Sequence, residues 1–215
     1  MKSIEEREKH VYFVRHGEAE NNIGDKINRG PGSMLTERGK QQAQVVAERA
    51  KKLDVYALIS STYPRTLDTA AAIARSTGLT VEPNDLFVEW KHASGMLHKS
   101  ENDPEVKAIQ SAIHSAEDSN YRHSDEETFA ELAARGVDAL EYLRQHSADR
   151  MCVVTHAGFL RVLFGTAVFH TAFTRKDFVS LFWNVSTLNS GITYFRYEPE
   201  RGWRVISWND SSHLG

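Results

Sequence analysis

The apolar positions of this chain follow two alternating rhythms. Uninterrupted short runs occur at 11–14 ("VYFV"), 55–60 ("VYALIS") and 151–156 ("MCVVTH"). Runs of this length and composition predict strands buried on both faces. A shorter strand is expected near 79–82. Between these runs the apolar residues recur at helical spacing. Thr36 can cap a helix reaching to about Leu53, with Ala43, Val46, Ala47, Ala50 and Leu53 on one face. Pro64 and Gly78 stand where a second helix would start and stop. Phe129, Leu132, Ala133, Val137, Leu140 and Leu143 form a third stripe, and 158–169 reads as a buried helix. The segments 191–198 ("GITYFRYE") and 203–208 ("WRVISW") read as an antiparallel pair around "PERG".

Strands alternating with helices predict an α/β fold, a three-layer α/β/α sandwich around a mostly parallel sheet. The chain reads as one domain, 1–215, with no internal repeat. Residues 1–9 are expected to be a flexible tail. Residues 19–35 are Gly-rich and polar, hence a loop. Residues 90–125 are polar, rich in histidine and weakly periodic, and read as an inserted lid-like excursion.

Composition narrows the function. Hydrophobic residues make up 40% and charged residues 26% of 215 residues, which is ordinary globular usage. A net charge of -3 argues against a general nucleic-acid binder. Cys152 is the one cysteine and lies in an apolar run, so it reads as a buried, inert thiol. The start "MKSIEEREKH" has no apolar core of a secretory signal, and no run approaches membrane-spanning length. A cytoplasmic protein without membrane association is the expectation.

In an α/β fold, ligands bind beyond the carboxyl ends of the strands. Two strands deliver a histidine there: "VYFVRHG" ends in Arg15-His16-Gly17, and "CVVTHAG" in His156-Ala157-Gly158. Either histidine alone is more often a satisfied structural residue, but the matched pair points to a site. Arg65 falls in the first turn of a helix, where the helix dipole opposes a cation. It either pairs with Asp68 on the surface or helps to hold an anion. Two arginines and two histidines at one crevice describe a phosphate pocket, since the guanidinium fork matches phosphate oxygens. Gly17 is expected to let backbone amides approach the ligand. No Gly-rich nucleotide-binding loop occurs.

The segments "RHGEAENN", "LTERGKQQA", "SSTYPRTLDTAAAIA" and "VVTHAG", in this order, resemble the histidine phosphatase superfamily, in its phosphoglycerate mutase-like branch 1. The C-terminal stretch from Asn189 is also similar to that family. The resemblance implies the phosphoglycerate mutase-like fold and a role for each matched residue. His16 would attack the phosphoryl group and carry it as a phosphohistidine. Arg15, Asn22, Arg65, His156 and the backbone amide of Ala157 would bind its oxygens. Glu89, in "DLFVEW", would be the proton donor, with Glu82 and Asp85 as rivals. No metal and no cofactor are implied, because positioning and two arginines can stabilise a transferring phosphoryl group.

The excursion departs from the family pattern. After Glu89 the chain reads "WKHASGM", where mutases carry a His/Arg-Tyr-Gly stretch that grips a carboxylate. A phosphatase of small phosphorylated substrates is therefore expected ahead of a phosphoglycerate mutase or a non-catalytic phospho-ligand binder. His92, His98, His114 and His123 are expected to be solvated surface histidines, with no compact metal-ligand spacing. A homodimer through the sheet edge near 186–208 is a candidate assembly.

Overall fold

The computed structural model describes residues 7–23 and 30–215. Among these residues six strands form one mixed sheet: β1 Lys9–Arg15, β2 Ala57–Ser60, β3 Val81–Pro83, β4 Arg150–Thr155, β5 Ile192–Glu198 and β6 Gly202–Asp210. Their order is β3-β2-β4-β1-β5-β6. The first four run parallel to one another, while β5 and β6 are antiparallel. The expected α/β sandwich is observed.

The central strands are buried on both faces, as their unbroken apolar runs require. Val11, Phe13, Ala57, Ile59, Met151 and Val153 face one side. There they pack with α4 (Phe129–Gln145) and α5 (Ala157–Phe169). Val14, Leu58, Cys152 and Val154 face the other side, against α1 (Glu37–Ala50) and α2 (Pro64–Thr77). Burial pushes the Cys152 thiol up to about 12, so it stays protonated and inert.

Local signals set the helix ends. The Thr36 hydroxyl accepts the Gly39 amide proton at 3.0 Å. Gly78 closes α2 at φ +76, a conformation that glycine adopts without strain. On α4, Thr128 and Glu131 form a reciprocal capping box. Val137 departs from the expected stripe and is 55% exposed. Gly136 and Ala139 face the core instead, because α5 packs closely: a Cβ on Gly136 would lie 2.9 Å from Thr166 and Val162.

Two features differ from the sequence expectations. β1 begins at Lys9, inside the expected tail, and Lys9 is fully buried. Its ammonium donates to the His146 carbonyl at 2.6 Å and to Asp149 at 2.9 Å, so the charge is paired. The rest of that tail expectation, residues 1–6, and part of the expected loop, residues 24–29, lie outside the described residues. An unexpected helix, α6 (Arg175–Asn184), follows α5. Its capping box of Thr174 and Asp177 is a clear start signal, but only Arg175 and Phe178 of the helix are buried, so no apolar stripe marks it.

The excursion contains α3 (Pro104–Ser115) and a short 3-10 turn at Ser94–Met96. It is anchored, since Trp90, Ala93, Met96, Val106, Ile109 and Ile113 join the main core. Among the described residues no helix is long and apolar enough to cross a membrane.

Candidate active site

β1 and β4 are hydrogen-bonded neighbours in parallel register, with Arg15 opposite Thr155. Both chains leave the sheet at the same edge, so His16 and His156 emerge together. Their rings lie 5.2 Å apart, edge to face. Arg65 reaches between them from the first turn of α2, only 1% exposed. Its Nε donates to His16 Nε2 at 3.2 Å, and one terminal nitrogen donates to His156 Nδ1 at 3.1 Å. The other donates to the Gly30 carbonyl at 3.2 Å. The guanidinium is thus committed to the crevice and not to Asp68.

These contacts fix the protonation pattern. His16 Nδ1 sits 2.7 Å from the Gly17 carbonyl, which only accepts. Nδ1 therefore carries the proton, and Nε2 presents its lone pair to the pocket. Burial, then Arg65 and Arg15, hold the His16 imidazole well below the usual histidine range. The ring is neutral and nucleophilic at neutral pH. His156 is lowered in the same way, by burial first and then by Arg65, His16 and Arg15. Arg65 has no acceptor, so His156 Nδ1 holds a lone pair, and Nε2–H donates to the Ser61 hydroxyl at 2.8 Å. Donation from Nδ1 to a phosphoryl oxygen requires an added proton, which an arriving dianion favours.

Arg15 donates to the Thr187 carbonyl. Burial pulls its guanidinium down to about 10, against the opposing pull of Glu89. Its Nε is buried with no hydrogen-bond partner among the described residues, a donor left over for a ligand.

Glu89 lines the same cavity as His16. Its carboxylate accepts the amide protons of Gly158 at 3.0 Å and Phe159 at 2.9 Å, in the first turn of α5. It also accepts the Trp90 amide proton at 3.0 Å. A Cβ on Gly158 would fall 2.5 Å from Glu89 Oε1, so only glycine admits the carboxylate here. Arg135 holds the approach segment through the carbonyls of Leu86 and Val88, both at 2.9 Å. The rivals are elsewhere. Glu82 is exposed beside His146, and Asp85 is exposed and accepts the Thr62 hydroxyl proton at 2.6 Å.

Arg15, His16, Asn22, Arg65, Glu89 and Ala157 line one cavity of about 240 Å³. The structure therefore brings these residues together, and His156 joins them through its contact with Arg65 without lining the cavity itself. It also adds Arg161, from α5, to the lining. Its guanidinium ties the Val185 carbonyl to that of Ala157 at 2.8–3.0 Å. A lone arginine in the apolar run "GFLRVLF" was its sequence signal. Ser61 and Asn189 were also missed as site residues, although both lie in the family-like segments "SSTYPRTLDTAAAIA" and "NSGITYFRYE".

Gly17 has a different role from the one expected. Its amide donates to Thr69 Oγ1 at 3.1 Å, so it is not free for a ligand. A Cβ on Gly17 would strike the Gly39 carbonyl, and one on Gly39 would strike the Glu18 carbonyl. The two glycines let the segment after β1 and the first turn of α1 touch backbone to backbone. Glu18 then accepts the Thr36 hydroxyl proton at 2.8 Å. The distant segments "RHGE" and "TERG" are thus halves of one contact.

The family model for the histidine phosphatase superfamily (branch 1) matches residues 11–211. This chain belongs to that superfamily. A metal-independent phosphoserine phosphatase of Arabidopsis thaliana is 30% identical over 98% of this chain and 85% of its own length. A probable phosphoglycerate mutase, GpmB, of Enterobacter sp. strain 638 is 31% identical, over 95% of this chain and 94% of that protein. The fold matches mycobacterial glucosyl-3-phosphoglycerate phosphatase with a TM-score of 0.77 at 21% identity, covering 95% of this chain and all of that one (100%). It also matches an Entamoeba histolytica phosphoserine phosphatase mutant in complex with phosphoserine, at TM-score 0.75 and 21% identity over 96% of this chain and 100% of the other.

The excursion histidines divide. His98 and His123 are exposed, as expected. His92 and His114 instead pack on Trp90, with ring centroids at 4.6 and 6.4 Å. Among the described residues, no three His, Cys, Asp or Glu side chains are grouped to hold a metal ion.

Proposed function

We propose that this superfamily member is a phosphomonoester phosphatase that works through a phosphohistidine at His16 without a metal. The observation that carries the reading is the state of His16: a neutral ring, its proton given to the Gly17 carbonyl and its Nε2 lone pair aimed into a cavity lined by arginines. In the resting geometry Arg65 Nε caps that lone pair. An arriving phosphoryl group draws the guanidinium onto its oxygens and uncovers the nucleophile. Arg15 and Asn22 bind further oxygens.

Nε2 attacks phosphorus in line as the ester oxygen leaves, taking a proton from the Glu89 carboxyl. Water, deprotonated by Glu89, then displaces the imidazole and releases inorganic phosphate. Two displacements replace one difficult hydrolysis. The charge gathering on the equatorial oxygens meets the guanidinium groups of Arg15 and Arg65. The phosphatase relatives support this reading.

The test is hydrolysis of an aryl phosphate in excess EDTA, with His16→Ala beside the wild type. Turnover that survives EDTA and is lost with His16 is expected. Equal turnover by both proteins would rule out His16 as the nucleophile. The mutase-named relatives favour a second reading, in which the phosphoryl group returns to another hydroxyl of the substrate. A coupled assay of 3-phosphoglycerate conversion to 2-phosphoglycerate separates the two.

A further inference from the structure

The phosphate cavity does not end at Glu89. A second chamber of about 280 Å³ adjoins it, and Trp90, His92, Glu101 and Phe182 line both. The two are therefore one cleft, with the phosphoryl machinery at one end. The far chamber is built by parts of the chain that phosphoryl transfer does not need. Residues 90–102 and α3 supply one wall, and α6 supplies the other with Phe182 and Trp183.

Five side chains with rings, Trp90, His92, His114, Phe182 and Trp183, line this far chamber. His114 stands 6.0 Å from the Phe182 ring and 5.9 Å from the Trp183 ring, the latter edge to face at 90°. Phe182 and Trp183 are themselves 5.3 Å apart. Trp90 closes the inner end, its indole N–H tied to the Glu127 carbonyl at 2.9 Å. Trp183 is 66% exposed at the wall, although burying an indole would stabilise the fold. Lys107, Gln110 and Asn102 supply polar groups among the rings. A cleft with ring walls and a few polar groups suits a planar ring with hydrogen-bonding edges.

We infer that the substrate is a phosphate monoester whose alcohol part carries a planar aromatic or heteroaromatic ring, held in this second chamber while the phosphoryl group meets His16. The inference rests on the phosphatase reading and names its substrate class.

The experiment compares kcat/KM for adenosine 5′-monophosphate and pyridoxal 5′-phosphate with that for ribose 5-phosphate and hexyl phosphate. Adenosine 5′-monophosphate and ribose 5-phosphate share the leaving hydroxyl and differ in the ring. At least one ring-bearing ester should exceed ribose 5-phosphate about tenfold, mainly through a lower KM. Trp183→Ala should cut that ratio about fivefold, and Phe182→Leu should also reduce it. Equal or better turnover of the ring-less esters overturns the inference while leaving the phosphatase reading standing. So does a ratio that neither variant moves. No turnover of any ester, an aryl phosphate included, overturns the phosphatase reading and this inference with it.

Discussion

Asn189 donates its side-chain amide to Asn22 Oδ1 at 3.0 Å, across 167 positions of sequence. The same Oδ1 accepts the Ala19 amide proton at 3.0 Å, which fixes the orientation of the Asn22 side chain. Its oxygen is occupied by two donors, and its NH₂ group is what remains to face a phosphoryl oxygen. Asn189 also donates to the His16 carbonyl at 3.1 Å. Asn189, at the start of the C-terminal family-like stretch, thus positions both the His16 backbone and the Asn22 side chain.

Asn189→Ala should therefore raise KM more than it lowers kcat, with kcat/KM down about fivefold to tenfold, the worth of one neutral hydrogen bond such as that between Asn189 and Asn22. Asn189→Asp should be worse. Its carboxylate accepts from Asn22, turns the amide over and points oxygen at the phosphate. Competitive inhibition by inorganic phosphate, measured on both variants, should weaken in the same order.

Glu89→Gln should lower kcat by about 10²–10⁴ if the carboxyl gives its proton to the leaving oxygen. The loss should be larger for alkyl than for nitrophenyl esters, since a good leaving group needs little protonation. Uniform loss across leaving groups would assign Glu89 a structural role. Gly158→Ala should damage the same step without unfolding the chain, because the new methyl occupies the seat of Glu89 Oε1.

Gly17→Ala and Gly39→Ala should each destabilise the fold by about 1–3 kcal/mol or more, because backbone and not a flexible side chain blocks the added methyl. Thermal unfolding with a lowered midpoint is the measurement. A purely ligand-facing Gly17 would instead lose activity at unchanged stability.

Acid should destabilise the protein early. His16 and His156 are lowered from the ordinary 6.5 by burial among guanidinium groups. The folded state therefore binds fewer protons than the unfolded one below that pH. Their contribution is full above about 6.5 and is lost as pH falls toward the folded values. Each histidine adds a slope of at most about 1.4 kcal/mol per pH unit. Denaturant midpoints between pH 7 and pH 5 should fall, and fall less steeply in His16→Ala.

The sequence by itself determined the layered fold and the chemical core. Apolar runs of strand length at 11–14, 55–60 and 151–156 cannot be satisfied unless both faces are covered, and Thr36, Pro64 and Gly78 mark helix ends through local hydrogen bonding and backbone preference. Such features depend on near neighbours, so they are legible in order along the chain. Arg15, His16, Arg65 and His156 were legible because residue types that stability does not favour stand at strand and helix ends, whereas Glu89 was singled out by the family resemblance alone.

Only the tertiary structure decided what each of them faces. Parallel pairing of β1 with β4 sets the two imidazoles side by side, and that fixes their tautomers and keeps them neutral. The reason for Gly17 lies in Gly39, the orientation of Asn22 lies in Asn189, and Gly158 is explained by Glu89. α6 carries too mixed a face to announce itself, yet it closes the ring-lined chamber against the excursion. Each is a contact between residues far apart in sequence. The free energy of burying a charge or clearing a backbone belongs to the pair, and neither partner alone carries a mark of it.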